Sequence, residues 1–387
     1  MKFEKWDEVF DFLTDEINKR KKKTVIFLDE FQWLSVGQSK LVSLIKKRWD
    51  NDWKNNNKVV LILCGSVASF MIKKVIHSTA LYGRIDHEIC LGQLDPKEVK
   101  KLIQSKRSVE ETFKYILLFG GIPKYIESIN PNKSFDQNIN ELFFKKNAKF
   151  LNEYQMIFYS QFKEHRNYEK IAKFVSTTPR TLKEVATHLK IESGGGVKSY
   201  LENLEKALFI TSYTPFDKEA NSKIIKYKLT DEYIRFYLKY ILPNKKTIEQ
   251  NTRGSLFDKL VKQKWDSWLG FSFENFCLKN AMFLADKMGF ADQVKKFGPL
   301  FVKDGNGFQI DLIYERFDNT ITVCEMKYYN DEVKMKVSSE VERKLKLLKV
   351  KKGITVEKAL ISQYGGDSTL KASNYFHHDI TVADLLT

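Results

Sequence analysis

An acidic residue and a Glu-x-Lys pair occupy two neighbouring apolar segments in the last third of the chain. Asp311 lies in segment 308–313, and Glu325 and Lys327 lie in segment 322–327. Alternate residues of a β-strand share one face, so Glu325 and Lys327 are predicted to point the same way. Two carboxylates beside a lysine are suited to bind one or two Mg²⁺ ions and to stabilise a water that attacks a phosphodiester.

The face on which Asp311 lies depends on the turn that joins the two segments. If Arg316 pairs with Thr320 around a three-residue turn, Asp311 lies directly across from Glu325. An even-length turn places Asp311 on the opposite face, away from the pair. The sequence leaves both geometries open.

A third carboxylate, Glu274, lies between Phe271 and Cys277 on an otherwise apolar helix face. Burying a carboxylate in such surroundings is costly unless it meets a cation or a metal ion. We therefore expect Glu274 to face a positive charge.

A second acidic pair, Asp29-Glu30, ends the apolar run 24–30, and a second such run, 58–66, ends in Gly-Ser. Unbroken apolar runs are typical of strands buried on both faces of a parallel sheet, and a helical repeat over 36–53 predicts the crossover helix. At the carboxyl edge of a nucleotide-hydrolysing sheet, Asp29 would hold Mg²⁺ through water and Glu30 would polarise the attacking water. Alternatively, the pair only caps the next helix.

The middle of the chain is predicted to be helical and then to change to a mixed pattern. Residues 95–159 form helices interrupted at a Gly-Gly-Ile-Pro sequence. Three short amphipathic helices and a hairpin then follow in the order of a winged helix-turn-helix. Their expected ranges are 167–176, 181–189 and 194–206 for the helices and 209–213 and 224–229 for the strands; 243–254 is a predicted linker.

The last unit is predicted to have the element order αβββαβ. The expected ranges are helix 265–288, strands 293–302, 308–316 and 320–329, helix 333–349 and strand 355–362.

Composition limits the class of protein. With 387 residues and 43% hydrophobic content, the chain is predicted to fold into several domains. Its net charge of +16 comes from 65 basic and 49 acidic residues, but only 10 of the basic residues are arginine. This surplus has two open explanations, a compositional bias towards lysine or the binding of a polyanion.

Four widely spaced cysteines without a C-x-x-C pair favour reduced thiols and a cytoplasmic location. No run approaches the length of a membrane span, so no membrane association is expected.

Four strings in the first third resemble the archaeal-type ATPase family, a branch of the AAA+/STAND P-loop ATPases. They are VIFLDEFQWL, LILCGSVASFM, ALYGRIDHEICLGQL and LFGGIPKYIES. The resemblance implies that Asp29-Glu30 are the Walker B pair, that Ser66 ends the sensor strand and that Arg84 contacts the γ-phosphate. The alternative for Arg84 is an ordinary surface arginine.

The 387 residues contain no G-x-x-x-x-G-K-[ST] phosphate loop. In the family this loop precedes the Walker B strand, so the chain is expected to be N-terminally truncated. Without backbone N–H groups and a lysine to hold the phosphates, it is expected not to hydrolyse ATP. ATP is a cofactor only if the missing segment is supplied.

The last unit resembles the PD-(D/E)xK nuclease fold, which commonly ends members of the same ATPase family. The resemblance implies that Glu274, Asp311 and Glu325 are metal ligands for Mg²⁺ and that Lys327 is the catalytic lysine. The domain is expected to be either an active metal-dependent nuclease or an inactive or conditionally active relative.

The predicted recognition helix, 194–206, has two lysines and two glutamates, a weak set for reading DNA. A protein-contact or hinge role is the alternative. The wing lysines are expected to contact phosphates non-specifically; they are Lys218, Lys223, Lys226 and Lys228.

These patterns together predict a multidomain α/β protein. Its expected function is that of an AAA/STAND-type ATPase family member coupled to a nuclease-like domain that acts on or binds DNA. The alternatives are a Mg²⁺-dependent deoxyribonuclease and a non-catalytic scaffold that binds nucleic acid or protein; the oligomeric state stays open. The predicted domains are 1–94, a partial P-loop ATPase core; 95–159, a helical lid; 160–242, the winged helix; and 255–387, the nuclease-like domain.

Overall fold

A computed structural model describes most of the chain. Outside the described residues lie 1, 36–39, 67–69, 105, 163, 193, 219–221, 252–254, 303–306 and 349. The described residues divide into a smaller unit, 1–91 with 202–207, and a larger unit, 92–201 with 208–387. Each unit is described by itself.

The smaller unit contains two parallel strands and the helices that pack on them. Strand β1 pairs with β2 from Thr24 opposite Val59 to Leu28 opposite Leu63, which confirms the predicted parallel pair. The predicted crossover helix is present from residue 41 and ends in a π-helical turn, while 36–39 lie outside the described residues. The elements are α1 (Trp6–Lys19), β1 (Thr24–Leu28), α2 (Phe31–Leu34), α3 (Leu41–Arg48), β2 (Val59–Leu63) and π turns at Trp49–Trp53 and Met71–Ile76.

One face of this sheet is exposed, contrary to the expectation that both faces are buried. Ile26 is 6% exposed and lies in a core with Phe10 and Phe31. On the other face Phe27 is 54% exposed, and Val25, Val60 and Ile62 are exposed as well. The apolar runs are long enough for a fully buried sheet, but in the described residues only two strands form it and nothing covers the second face.

The larger unit begins with helices that pack around a cluster of aromatic rings. Several pairs of these rings have centroids 5.6–6.2 Å apart; the rings belong to Phe119, Phe143, Phe150 and Tyr233. Gly121 sits where a side chain would overlap the carbonyl of Leu94, since a Cβ would lie 2.0 Å from that oxygen. The helices are α4 (Pro96–Ile103), α5 (Val109–Phe119), α6 (Pro123–Ile126), α7 (Phe135–Phe143) and α8 (Glu153–Gln161).

Three helices and a small antiparallel sheet follow. The strand order is β3-β5-β4, and the two-residue strand β3 was not predicted because it is too short to show a pattern. The predicted linker is helical over Lys245–Gln250, with Ile248 buried, so that prediction was wrong there. The elements are α9 (His165–Thr177), β3 (Arg180–Thr181), α10 (Leu182–Leu189), α11 (Gly195–Lys206), β4 (Ile210–Tyr213), β5 (Lys226–Leu229), α12 (Glu232–Phe236), a π turn (Tyr237–Ile241) and α13 (Lys245–Gln250).

A mixed five-stranded sheet in the order β10-β9-β8-β7-β6 dominates the end of the chain. Strands β6, β7 and β8 are antiparallel, whereas β9 is parallel to β8 and β10 is parallel to β9. The predicted helix 265–288 is divided at Asn280. The elements are α14 (Leu256–Leu260), α15 (Trp265–Lys279), α16 (Ala281–Lys287), β6 (Val294–Val302), β7 (Phe308–Arg316), β8 (Thr320–Lys327), α17 (Lys336–Leu347), β9 (Thr355–Ser362), α18 (Ser368–Ala372), β10 (His378–Thr381) and α19 (Val382–Leu385).

All four cysteines are free thiols; Cys277 and Cys324 are buried, Cys64 is half-buried and Cys90 is exposed.

Among the described residues, no helix combines the length and the apolar character needed to cross a bilayer.

The exposed sheet face leads to a prediction for two neighbouring residues. Ile26→Ala should lower the free energy of unfolding by about 2–5 kcal/mol, because it leaves a cavity in the core. Phe27→Ala, one residue away on the open face, should change it by less than about 1 kcal/mol. Denaturant unfolding followed by tryptophan fluorescence measures both, and equal losses would contradict the exposed face.

Candidate functional site

The mixed sheet brings Asp311 and Glu325 to neighbouring positions on adjacent strands. Strands β7 and β8 pair with Leu312 opposite Cys324. Continuing this register by one residue places Asp311 across from Glu325. The geometry expected for a three-residue turn is therefore confirmed.

The Glu325 carboxylate is buried and shared between two lysines. It is 1% exposed. Its Oε1 lies 2.8 Å from Nζ of Lys327, and its Oε2 accepts a hydrogen bond of 2.8 Å from Nζ of Lys344. Lys344, on helix α17, is itself only 6% exposed. Glu340, 3.4 Å from Lys327 and 3.6 Å from Lys344, adds a second carboxylate at the rim.

The charge state of Lys327 follows from these neighbours. Burial by itself lowers its pKa, but the Glu325 carboxylate attracts the ammonium and accepts a hydrogen bond from it, so the pKa of Lys327 is raised above its usual value. In this arrangement Lys327 is a fixed positive charge at neutral pH and is not a base.

Two further carboxylates lie close to this ion pair. Burial, and next the charge of Glu325, raise the pKa of Asp311. Burial, and next the charge of Asp311, raise the pKa of Glu274 to about 6. Asp311 also accepts a hydrogen bond of 3.0 Å from Gln309 Nε2. Crowded carboxylates of this kind are stabilised by an added cation.

The donor set fits Mg²⁺ chemically, because this ion takes hard oxygen ligands and often uses only one or two carboxylates. The arrangement of Glu325 is less favourable, since both of its oxygens already contact lysines. Among the residues that the structure describes, no group of three or more His, Cys, Asp or Glu side chains is arranged to hold a metal ion.

Helix α15, which carries Glu274, is attached to the segment that precedes it in the chain. Asn275 Nδ2 donates a buried hydrogen bond of 3.1 Å to the carbonyl of Thr230. One turn later, Lys279 Nζ lies 2.8 Å from Glu232 Oε1. These two contacts hold the helix in register beside the start of α12, and Glu274 is positioned with it.

The sequence reasoning missed Lys344. The signal was present, because Val337, Val341 and Lys344 are spaced four and three residues apart and are the buried residues of helix α17. A lysine at the third position of an apolar stripe must find a buried counter-charge. Glu325 supplies it.

The second candidate site lies at the carboxyl ends of β1 and β2. Ser66 Oγ donates a hydrogen bond of 2.8 Å to Glu30 Oε2 and accepts one of 3.0 Å from Gln32 Nε2. Gln32 also donates to Glu30. The structure therefore brings together Glu30 and Ser66, which lie 36 residues apart in sequence, and adds Gln32, which was not predicted.

The sequence left open that Asp29-Glu30 only caps the helix that follows, but the Glu30 side chain does not cap helix α2. Glu30 occupies the N-cap position, but its side chain makes no capping hydrogen bond. Its backbone is left-handed, with φ +48°, which costs a non-glycine residue about 1 kcal/mol. Asp29 Oδ1 accepts the Glu30 backbone N–H at 2.9 Å.

Arg84 lies against a different partner. Its Nε and Nη2 form a two-point ion pair with Asp50 at 2.7 and 2.8 Å. This pairing is the largest cause of the lowered pKa of Asp50, about 2. Within the described part of the chain, no hydrogen bond or ion pair joins Arg84 to Glu30 or Ser66.

Comparison with known proteins covers both candidate sites. Residues 2–129 match the family described as an ATPase domain predominantly from Archaea. Residues 237–342 match a family of archaeal and bacterial proteins of unknown function. A protein of Methanocaldococcus jannaschii, "Uncharacterized protein MJECL04", is 30% identical over 358 residues, which cover 89% of this chain and 75% of that protein.

The chain belongs to this archaeal ATPase family. A second protein of the same organism, "Uncharacterized protein MJ0424", is 42% identical over 59 residues, or 15% of this chain and 54% of that protein. The archaeal ATPase match contains Asp29, Glu30, Ser66 and Arg84, and the second match contains Glu274, Asp311, Glu325 and Lys327.

The buried ion pair around Glu325 can be tested through Lys344. Lys344→Met should lower the free energy of unfolding by about 3 kcal/mol, because it leaves part of a buried charge without its partner. Lys346→Met, an exposed lysine on the same helix, is the matched control and should change stability by less than about 0.5 kcal/mol. Equal effects in denaturant unfolding would show that Lys344 is not a buried counter-charge.

Proposed function

We propose that this protein couples its N-terminal ATPase-family domain to a C-terminal nuclease-like domain that acts on or binds DNA. The observation that carries the proposal is the register of β7 and β8, which sets Asp311 across from Glu325 with Lys327 on the same face. The element order of the last unit supports it. Helix α15, three antiparallel strands, helix α17 and parallel strand β9 follow the order αβββαβ of the PD-(D/E)xK nucleases.

The residues present can carry out the parts of phosphodiester hydrolysis that a protein supplies. Asp311, Glu325 and Glu274 would hold Mg²⁺, which when bound activates water and neutralises phosphate charge. Lys327, as a fixed cation, would stabilise the negative charge that develops on the phosphate. The two raised carboxyl pKa values, of Asp311 and Glu274, favour binding of a cation at neutral pH.

A second candidate function is DNA binding without cleavage, and one observation favours it. Glu325 is neutralised by Lys327 and Lys344, so a metal ion would have to replace one of these ammonium groups. Such a site is inactive or becomes active only when the lysine moves. Cleavage assays separate the two candidates.

The segment 165–229 supports a winged helix-turn-helix by its order of three helices and antiparallel strands. Its hairpin loop packs on the mixed sheet of the same unit. Lys296 Nζ of β6 donates to the carbonyls of Phe216 and Lys218 at 2.7 and 2.5 Å. These contacts favour the alternative in which the winged helix makes protein contacts, since part of the wing is already engaged.

For the ATPase domain we propose that ATP binding requires a phosphate-loop segment in addition to the described residues. Glu30 and Ser66 meet at the sheet edge, as a Walker B glutamate and a sensor residue would. The two-stranded sheet leaves an apolar face open. Small parallel sheets of this kind normally continue into further strands and helices.

The nuclease proposal predicts the loss of metal-dependent cleavage in three variants. Glu325→Ala, Lys327→Ala and the shape-preserving Asp311→Asn should each reduce Mg²⁺- or Mn²⁺-dependent nicking of plasmid DNA by more than about 100-fold, since the groups around a catalytic metal contribute several kcal/mol. Glu332→Ala, an exposed acid, is the control. Melting curves identify unfolded variants. Nicking that survives all three substitutions would overturn the assignment.

The ATPase proposal predicts that these 387 residues do not bind ATP with low-micromolar affinity. The physical reason is that no glycine-rich loop and lysine hold the β- and γ-phosphates. Isothermal titration calorimetry with Mg²⁺-ATP measures the affinity. Tight binding, or steady ATP turnover that Glu30→Gln abolishes, would contradict the proposal.

A further inference from the structure

Two cations of the larger unit, Lys228 and Arg235, lie half-buried without a carboxylate partner. Lys228 is on strand β5, and Arg235 is on helix α12. The Nη1 atom of Arg235 is buried and has no hydrogen-bond acceptor among the described residues. The side chain of Lys228 likewise forms no hydrogen bond or ion pair in the described part of the chain. Because an unpaired buried charge is costly, an anion that contacts both side chains would be stabilised there.

The two cations are close enough to perturb each other. Burial, and next the charge of Arg235, lower the pKa of Lys228 to about 8, while Glu274 opposes this shift. Burial also lowers the pKa of Arg235, opposed first by Glu232 and then by Glu274. Glu274 is therefore a carboxylate whose charge acts on both cations, although no hydrogen bond or ion pair joins it to either of them in the described residues. An added anion between Lys228 and Arg235 would relieve their repulsion.

The backbone around the cations explains their position. Along β5, Tyr227 and Leu229 are buried on one face, which leaves Lys228 on the other. Asp231 then begins α12 by accepting the N–H of Ile234 at 2.7 Å. Arg235 follows one turn into that helix, and helix α15 contacts Thr230 and Glu232, which lie between the two cations in sequence.

The cations border the candidate metal site. The charge of Glu274 interacts with those of Asp311 and Lys327 as well as with those of the two cations. The contacts of Asn275 with Thr230 and of Lys279 with Glu232 hold the two regions together. A chain of phosphates crossing this region would meet positive charge next to the carboxylates that hold a metal ion.

The chemistry of the two side chains selects the anion. A guanidinium offers paired N–H donors that match phosphate oxygens, and a lysine ammonium adds a point charge. Phosphate contacts of this kind position a nucleic acid without reading its sequence. This agrees with the weak set of base-reading residues on the predicted recognition helix.

We propose that Lys228 and Arg235 bind a backbone phosphate of DNA beside the phosphodiester that lies at Asp311, Glu325 and Lys327. This inference rests on the proposed function and adds to it a substrate-binding subsite from outside the mixed sheet. The sequence predicted that Lys228 contacts phosphates non-specifically as one of the wing lysines; this inference assigns it to a defined subsite instead.

The test measures the affinity of the full chain for a short fluorescein-labelled DNA duplex by anisotropy, in EDTA so that no metal-dependent cleavage occurs. Lys228→Met and Arg235→Met should each weaken binding about tenfold, as expected for the loss of one phosphate contact. Each should also reduce the slope of log affinity against log salt by about 1. Arg235→Lys should restore part of the affinity.

Lys226→Met is the matched control, because it removes the same charge from the same strand. It should weaken binding less than twofold. An equal loss for Lys226→Met and Lys228→Met would indicate general attraction to a basic surface and would overturn the subsite.

Thermal unfolding separates binding from folding. Arg235→Met should be as stable as the original protein or more stable, since it removes an unpaired buried charge. A fall in melting temperature together with unchanged DNA affinity would assign Arg235 a structural role and overturn the proposal. If the original chain binds DNA and neither variant binds more weakly, the subsite is wrong and the proposed function stands. If the original chain does not bind DNA even at low salt, both are wrong.

Discussion

The larger unit depends on how the single negative charge of Glu325 is satisfied inside the protein. A buried carboxylate needs compensating positive charge, and Lys327 and Lys344 provide it from one strand and one helix. The same ion pair therefore attaches helix α17 to the centre of the sheet. It also limits the chemistry, because an oxygen atom in contact with an ammonium group is poorly placed to bind a metal ion. Structural stabilisation and metal binding compete for this one side chain.

The other charges near Glu325 fall into two groups, a pair of carboxylates and a pair of cations. Burial, and next the charge of a neighbouring carboxylate, raise the pKa of Asp311 and of Glu274. Burial, and next the charge of Arg235, lower the pKa of Lys228. Glu274 interacts with both sets. In the proposed complex, a metal cation bound to the carboxylates and a phosphate bound to the two cations would reduce the electrostatic repulsion within each group. DNA with a divalent ion supplies both charges together, which is why we favour it over either ligand alone.

The smaller unit shows a different constraint. Its two strands carry enough apolar side chains for two buried faces, yet one face is exposed in the described residues. At the end of these strands, Glu30 has a left-handed backbone and shares hydrogen bonds with Ser66 and Gln32. The segment that matches the archaeal ATPase family includes the acidic pair at this edge. Arg84 forms an ion pair with Asp50, which is a structural contact within the smaller unit.

The sequence by itself determined those features that follow from local periodicity and register. It predicted the parallel pair β1 and β2 and the αβββαβ order of the last unit, because strand alternation and helical periodicity are local properties. It left the facing of Asp311 and Glu325 dependent on the length of one turn, and the register of β7 and β8 in the structure decided it. The tertiary structure alone decided which distant charges meet. Lys344 reaches Glu325 across 19 residues, and Lys279 reaches Glu232 across 47 residues. The exposed sheet face and the helix within 243–254 were also decided there, since burial depends on what packs against an element and local pattern does not contain that information.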